Sequence, residues 1–196
     1  MKKGLGSTII LILVVVVLFF WVRGSYNSMV TSRETVSTSW AKVQGAYQRR
    51  ADLIPNLVNT VKGAANFETK TLVDVINARA SATQVKIDPA NLDEASMKNF
   101  QDKQAALGGA LSRLLVSVEQ YPELKATQAF RDLQVQLEGT ENRINVERNS
   151  FNDVTRAYNT NIQQFPRNLF ASAFGFKPRP YFEAAQGSDK APAVNF

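Results

Sequence analysis

Residues 9–22 read Ile-Ile-Leu-Ile-Leu-Val-Val-Val-Val-Leu-Phe-Phe-Trp-Val, and no charge occurs anywhere in residues 4–22. A helix needs roughly 20 such residues to cross the hydrocarbon core of a bilayer, and this stretch just suffices. Trp21 and Tyr26 stand near one end, where amphipathic rings favour the lipid–water boundary. Residues 1–23 are therefore expected to form a membrane anchor that contacts lipid. A cleaved leader is the competing reading. It is disfavoured because Arg23-Gly24-Ser25-Tyr26-Asn27 holds no Ala-x-Ala pattern and the apolar run is long for a leader. Lys2 and Lys3 crowd the short side, whereas Arg23, Arg33 and Lys42 are spread along the other. Charge close to the membrane weighs most, which predicts a cytoplasmic N-terminus and an extracytoplasmic domain.

Outward from the anchor, composition excludes more than it suggests. The formal charge is +6, and without Lys2, Lys3 and Arg23 the remainder carries +3, an ordinary mixed surface. Basic residues are not interleaved with aromatics, so nucleic acid is not an expected partner. The chain has no Cys and no His. That removes disulfides, zinc–thiolate and iron–sulfur sites, thiol nucleophiles, the commonest general base and the Ser-His-Asp triad. Neither a P-loop nor a Gly-x-Gly-x-x-Gly pattern appears among the ten glycines. No cofactor and no metal is expected, and the protein reads as a non-enzyme.

From Tyr26 onward apolar residues recur in steps of three and four. Val30, Val36, Trp40, Val43, Tyr47, Ala51 and Ile54 form one stripe. Leu57 or Val58, Val61, Ala65, Phe67 or Glu68, Leu72, Val75 and Ala82 continue it, which predicts one long amphipathic helix. The stripe keeps its phase across Pro55, so a kink is expected there and not a turn. The first connection is placed at residues 83–91, with Asn91 and Glu94 as a capping pair for a helix over 92–121. Its seam is Met97, Phe100, Gln104, Leu107, Leu111, Leu114 and Val118. Gly108-Gly109 in mid-helix costs about 1 kcal/mol per glycine and suggests a closely approaching neighbour. A last helix is expected over 127–164, with Phe130, Leu133, Leu137, Ile144, Phe151, Val154, Tyr158, Ile162 and Phe165 at heptad-like spacing. Glu141 and Arg148 occupy or flank that seam. The fold class is all-α: a transmembrane helix, then an elongated antiparallel bundle of three to four long helices over residues 24–182. Residues 183–196 are expected to be a disordered tail.

Several strings resemble the LemA family of bacterial membrane proteins. They are Tyr26-Asn27-Ser28-Met29-Val30, Gln48-Arg49-Arg50-Ala51-Asp52-Leu53-Ile54-Pro55-Asn56-Leu57-Val58 and Val61-Lys62-Gly63. Later come Tyr121-Pro122-Glu123-Leu124-Lys125-Ala126, Leu137-Glu138-Gly139-Thr140-Glu141-Asn142-Arg143-Ile144, Tyr158-Asn159, Phe165-Pro166 and Phe174-Gly175-Phe176. The resemblance covers about residues 20–184. One departure is Phe151-Asn152, where the family pattern has Tyr-Asn; the missing hydroxyl argues against a polar role for that ring. The resemblance implies an N-terminal anchor in the bacterial cytoplasmic (inner) membrane and an antiparallel helical bundle. It supplies no catalytic activity.

The sharpest polar cluster is Arg49, Arg50 and Asp52, with Glu138, Glu141, Asn142 and Arg143 on the last helix. A guanidinium pair suits a carboxylate or phosphate, which makes these residues a candidate polar network or partner site. The plainer alternative is one arginine paired with an acid across the bundle and the other solvated. Glu138 and Glu141 share a helix face as in di-metal carboxylate bundles, but those sites need a Glu-x-x-His. The aromatic residues 165–182 are read as a strap folded onto the bundle, with a second membrane contact as the alternative. Function is read as a cell-envelope scaffold that self-associates. Its alternative is an accessory subunit of a membrane enzyme, channel or protease. The expected partners are membrane lipid, a second copy of the chain, or another membrane protein.

Overall fold

In a computed structural model the backbone is described for residues 2–63 and 68–183, and the side chains for 8–63 and 68–183. Every element is helical: α1 (Lys2–Lys62), α2 (Thr69–Gln84), α3 (Glu94–Val118), α4 (Pro122–Lys125), α5 (Gln128–Gln163) and α6 (Asn168–Ala171). A 3₁₀ turn, Pro89–Asn91, precedes α3. The expected tail from 184 onward lies outside the described residues.

The helix α1 changes character along its length. Its side chains from Ile9 to Phe20 are exposed all round, as suits a lipid-facing segment, and the helix is apolar and long enough to cross a membrane. From Met29 onward one face is buried, with Val36, Trp40, Val43, Tyr47, Ile54, Leu57 and Val61 along its centre and Ala46, Leu53 and Val58 beside them. The helix continues through Pro55 without a break, so no turn occurs there, as its in-phase stripe predicted. Pro55 sits on the exposed side, so its ring disturbs the solvent face and leaves the buried contacts in register. Proline has no N–H for the carbonyl four residues back, which is Ala51. Arg79 Nε, on α2, donates to that carbonyl at 2.8 Å.

The same hydrogen bond corrects the sequence reading. In one continuous helix Ala51 and Arg79 would stand about 42 Å apart. The chain instead turns back between Lys62 and Thr69, so α2 is a separate helix packed on α1 and α3. Val61, Leu72 and Val75 are all buried, so a stripe in phase across the break hid the reversal. Capping differs too. Asp93, not Asn91, starts α3: its Oδ1 accepts the Ser96 N–H at 2.7 Å, and its own N–H donates to Ser96 Oγ at 3.1 Å. Asn91 belongs to the 3₁₀ turn, where its side chain donates to Asp88.

All seven expected seam residues of α3 are buried. Gly108 and Gly109 do not mark a close neighbour, however. A Cβ at Gly108 would meet nothing within 4 Å, and one at Gly109 only the Arg113 side chain. Pro122 opens the short α4, and Thr127 then caps α5. The two longest helices, α1 and α5, run antiparallel in a steady register. Asn161 donates to Ser32 Oγ at 2.8 Å, Trp40 packs on Phe151, and Arg50 meets Glu141, ten residues on in α1 and ten back in α5. Phe165 departs from its expected place in the seam: it lies beyond the end of α5 and is 79% exposed.

After α6 the chain folds back along the bundle. Gly175 takes φ +78°, a left-handed conformation open to glycine. The Phe176 N–H bonds Ala171 O and the Gly175 N–H bonds Ser172 O, the pair of bonds that closes a Schellman motif. This turn sends Phe176 and Phe182 into the core. Asn159 and Asn152, seven residues apart on α5, each grip the returning backbone from both sides. Asn159 donates to Arg179 O at 2.9 Å and accepts from its N–H at 2.8 Å. Asn152 does the same for Phe182, at 3.1 and 2.8 Å.

Candidate functional site

Arg50 follows Tyr47 by three residues and precedes Ile54 by four, so it lies on the buried stripe of α1. It is 6% exposed. Its Nη1 donates to Glu141 Oε2 at 2.9 Å, and Nη2 donates to Gln104 Oε1 at 2.8 Å and to Gln104 O at 3.3 Å. The guanidinium carbon lies 5.1 Å from the centre of the Tyr47 ring. Gln104 in turn donates to Ala82 O at 3.4 Å. One side chain thereby joins α1, α3 and α5, and reaches α2 through the glutamine. The Arg50 Nε is buried and has no partner among the described residues. Glu141, with its side chain 51% exposed, keeps contact with water.

The remaining residues of the sequence cluster do not join this centre. Arg49 is exposed. Asp52, also exposed, accepts from Gln48 at 2.7 Å. Glu138 accepts from Gln134 at 3.2 Å on its own helix. Asn142 is exposed, and Arg143 pairs with Glu147 at 2.6 Å. Glu138 and Glu141 thus face different partners. Among the described residues no group of three or more acidic side chains is placed to hold a metal ion.

A groove of about 750 Å³ opens beside Arg50 between α3 and α5, with Gly108, Leu111 and Leu137 on its walls. The missing side chain of Gly108 leaves room in it, which gives this glycine a different role from the one its sequence suggested. Lys98 and Asp102 bond at 2.9 Å at the rim, and the carboxylate raises the Lys98 ammonium pKa above its ordinary value. Charges of both signs line the groove. The arrangement can orient a carboxylate or a guanidinium from a partner.

Sequence reasoning passed over several polar residues that organise the bundle. Glu147 is buried, Arg79 completes α1 at Pro55, and Asn152, Asn159 and Asn161 make the long-range bonds described above. The asparagines carried a signal, since Asn152 and Asn159 each directly follow a seam aromatic. Arg148 flanks the seam: it is half-buried, lies 4.9 Å over the Phe182 ring and donates to Glu183 O at 2.8 Å. Trp21 and Tyr26 meet rings from the C-terminal segment, Trp21 on Phe170 at 5.8 Å and Tyr26 on Phe174 at 5.4 Å.

The chain is similar to magnetosome protein MamQ 2 of Paramagnetospirillum magneticum, 26% identical over 181 residues, covering 84% of this chain and 66% of the relative. MamQ of Magnetospirillum gryphiswaldense shows the same identity and coverage. The chain therefore spans just under two thirds of the length of these MamQ relatives. Protein LemA of Metamycoplasma hominis is 22% identical over 175 residues, covering 89% of this chain and 76% of the relative. The profile of the LemA family matches residues 39–196, a span that takes in α2 to α6 and the Arg50 centre. With an apolar N-terminal helix leading into that matched bundle, the chain belongs to the LemA family.

Proposed function

We propose that this protein is a non-enzymatic scaffold of the bacterial cell envelope, held in the cytoplasmic membrane by a single pass and self-associating through its bundle. The observation that carries the reading is the continuity of α1. Its exposed apolar part and its buried stripe are one helix, Lys2–Lys62, with no hinge loop between them. A bundle mounted on such a helix stands at a fixed height and angle to the bilayer, as a structural support requires. The names of the relatives, magnetosome protein and Protein LemA, denote no reaction. Lys2 and Lys3 at the short end favour an extracytoplasmic bundle.

The groove beside Arg50 favours a second reading, an accessory subunit that presents this charged recess to another membrane protein. Affinity purification from native membranes separates the two. Recovery of the chain with itself supports the scaffold; a foreign protein in fixed ratio replaces it with the subunit. Topology is tested in this cysteine-free chain by placing a cysteine at the exposed Gln120. Labelling by an impermeant thiol reagent in intact cells, with any outer membrane permeabilised, supports the extracytoplasmic bundle. Labelling only after lysis reverses it.

A further inference from the structure

The segment between α5 and the strap carries an apolar surface that the bundle does not cover. Phe165 is 79% exposed, Leu169 70% and Phe174 46%. Their neighbours are oriented: Phe170 packs edge-on against Trp21, and Phe174 against Tyr26 and Phe170. Ser25 is buried, so this segment lies against α1 just where the apolar helix ends. Asn161, at the end of α5, bonds Ser28 and Ser32. From Ser28 down to Trp21 is about 10 Å along the helix axis, and the chain between Asn161 and Phe170 spans that gap.

From this placement we infer that Phe165, Leu169, Phe170 and Phe174 form a second membrane contact, seated in the interfacial zone of the bilayer that α1 crosses. The occupant is lipid because the surface is continuous with the exposed face of Phe19, Phe20 and Trp21, the end of the membrane-crossing stretch. Aromatic rings at that height rest in the headgroup–acyl boundary, and short apolar elements sink about 5–10 Å into it. Arg23 follows Trp21 by two residues and Arg167 follows Phe165 by two, which brings positive charge to the edge of the patch for headgroup phosphate, while one Arg167 Nη also donates to Asn161 Oδ1. The two contacts together fix the rotation of the bundle about α1, which one helix alone does not. Phe176, across the glycine turn, holds the patch to the core.

The inference rests on α1 crossing the membrane, and one experiment separates the two claims. The full chain has no cysteine, so single cysteines at Leu13, Leu169 and Val135 can each carry an environment-sensitive fluorophore. The labelled proteins are placed in phosphatidylcholine–phosphatidylglycerol vesicles with lipids quenching at shallow or deep positions. Leu13 reports the anchor, and Val135 is an exposed apolar control near the far end of α5. The expected result is strong quenching of Leu13 by the deep quencher, quenching of Leu169 to roughly half by the shallow one, and none at Val135. Quenching at Leu13 without quenching at Leu169 overturns the second contact alone. Loss of quenching at Leu13 overturns the anchor as well. A blue-shifted Leu169 signal that neither lipid quenches means that protein covers the patch, which also overturns the inference.

Discussion

Next to the apolar segment the bundle core is built round Trp40, Phe100, Phe151, Phe176 and Phe182; at the far end it is built from Leu57, Leu107, Leu111, Leu114 and Leu133. The aromatic half gathers rings from α1, α3, α5 and the strap into mutual contact, Trp40 alone touching Phe100, Phe151 and Phe182 at 5.2–5.9 Å. It is also pinned by polar bonds to distant backbone: Trp40 Nε1 to Ile87 O at 3.3 Å, Tyr158 Oη to Lys177 O at 3.0 Å, and the two asparagine clamps. The far half is mostly an interlock of leucines and valines, with Phe130 as its one fully buried ring among the described residues and Arg79 holding α2 to α1. Aliphatic seams tolerate substitution as long as volume is kept, whereas fitted rings with hydrogen-bonded edges specify a single arrangement. The half that needs one arrangement is the half that joins the apolar helix.

The comparison breaks most sharply at Trp40. Trp40→Ala removes the ring on which the strap is stacked and should cost about 3–5 kcal/mol. Leu107→Ala in the far half should cost about 2–5 kcal/mol, by cavity formation alone. The discriminating readout is hydrogen exchange along residues 176–183. Exchange there should rise greatly for Trp40→Ala and stay near the native value for Leu107→Ala. Equal exchange in the two variants would mean that the halves are not packed independently.

A smaller effect is expected at the Pro55 break. Arg79→Ala leaves the Ala51 carbonyl without its donor, at about 1–3 kcal/mol for an unpaired polar group. Pro55→Ala supplies a new N–H for the same carbonyl and should keep the fold. Denaturant melts of the double variant should then show little further loss from Arg79→Ala. Simple additivity of the two changes would sink the idea that Arg79 replaces the missing backbone donor.

Arg50 stands where the two cores meet. Because Glu141 remains half solvated, their coupling should fall between a surface pair, about 1 kcal/mol or less, and a fully buried one. A double-mutant cycle of Arg50→Met with Glu141→Gln should give about 1–2 kcal/mol, and Arg49 with Glu141 or Glu138 close to zero. Coupling near zero for Arg50 as well would release it for a binding role.

The seams of α3 and α5 were legible because a buried stripe repeats every three to four residues whatever it packs against. Phase alone, by contrast, could not show the reversal after Lys62, since Leu72 and Val75 continue the count across it. Local chemistry held the better clue: a basic last turn followed by Gly63 is a helix-stop signal. Which arginine is buried was also readable, as Arg50 falls on the stripe and Arg49 beside it. Its partners were not, because register between helices 91 residues apart depends on the assembled core. The two clamping asparagines were marked by their place after seam aromatics, but the backbone they grip was hidden for the same reason, and so was the strap's exposed tip beside Trp21.

The smallest expected effect is one of pH, and it belongs to the aromatic half. Burial raises the Tyr158 phenol above its ordinary value, against the opposing positive charges of Arg179 and Arg33. The neutral ring is thus favoured by folding. Its contribution is fully present below the unfolded value of about 10 and is lost as pH rises through the folded value. Lysines titrate in the same range, so the wild type must be compared with Tyr158→Phe. That variant loses the bond to Lys177 O but has no proton to release. Hydrogen exchange of the strap should accelerate with rising pH in the wild type more than in Tyr158→Phe, while α2 and the leucine-rich part of α3 respond alike in both. A pH response of the strap that survives unchanged in Tyr158→Phe would place the sensitive group elsewhere.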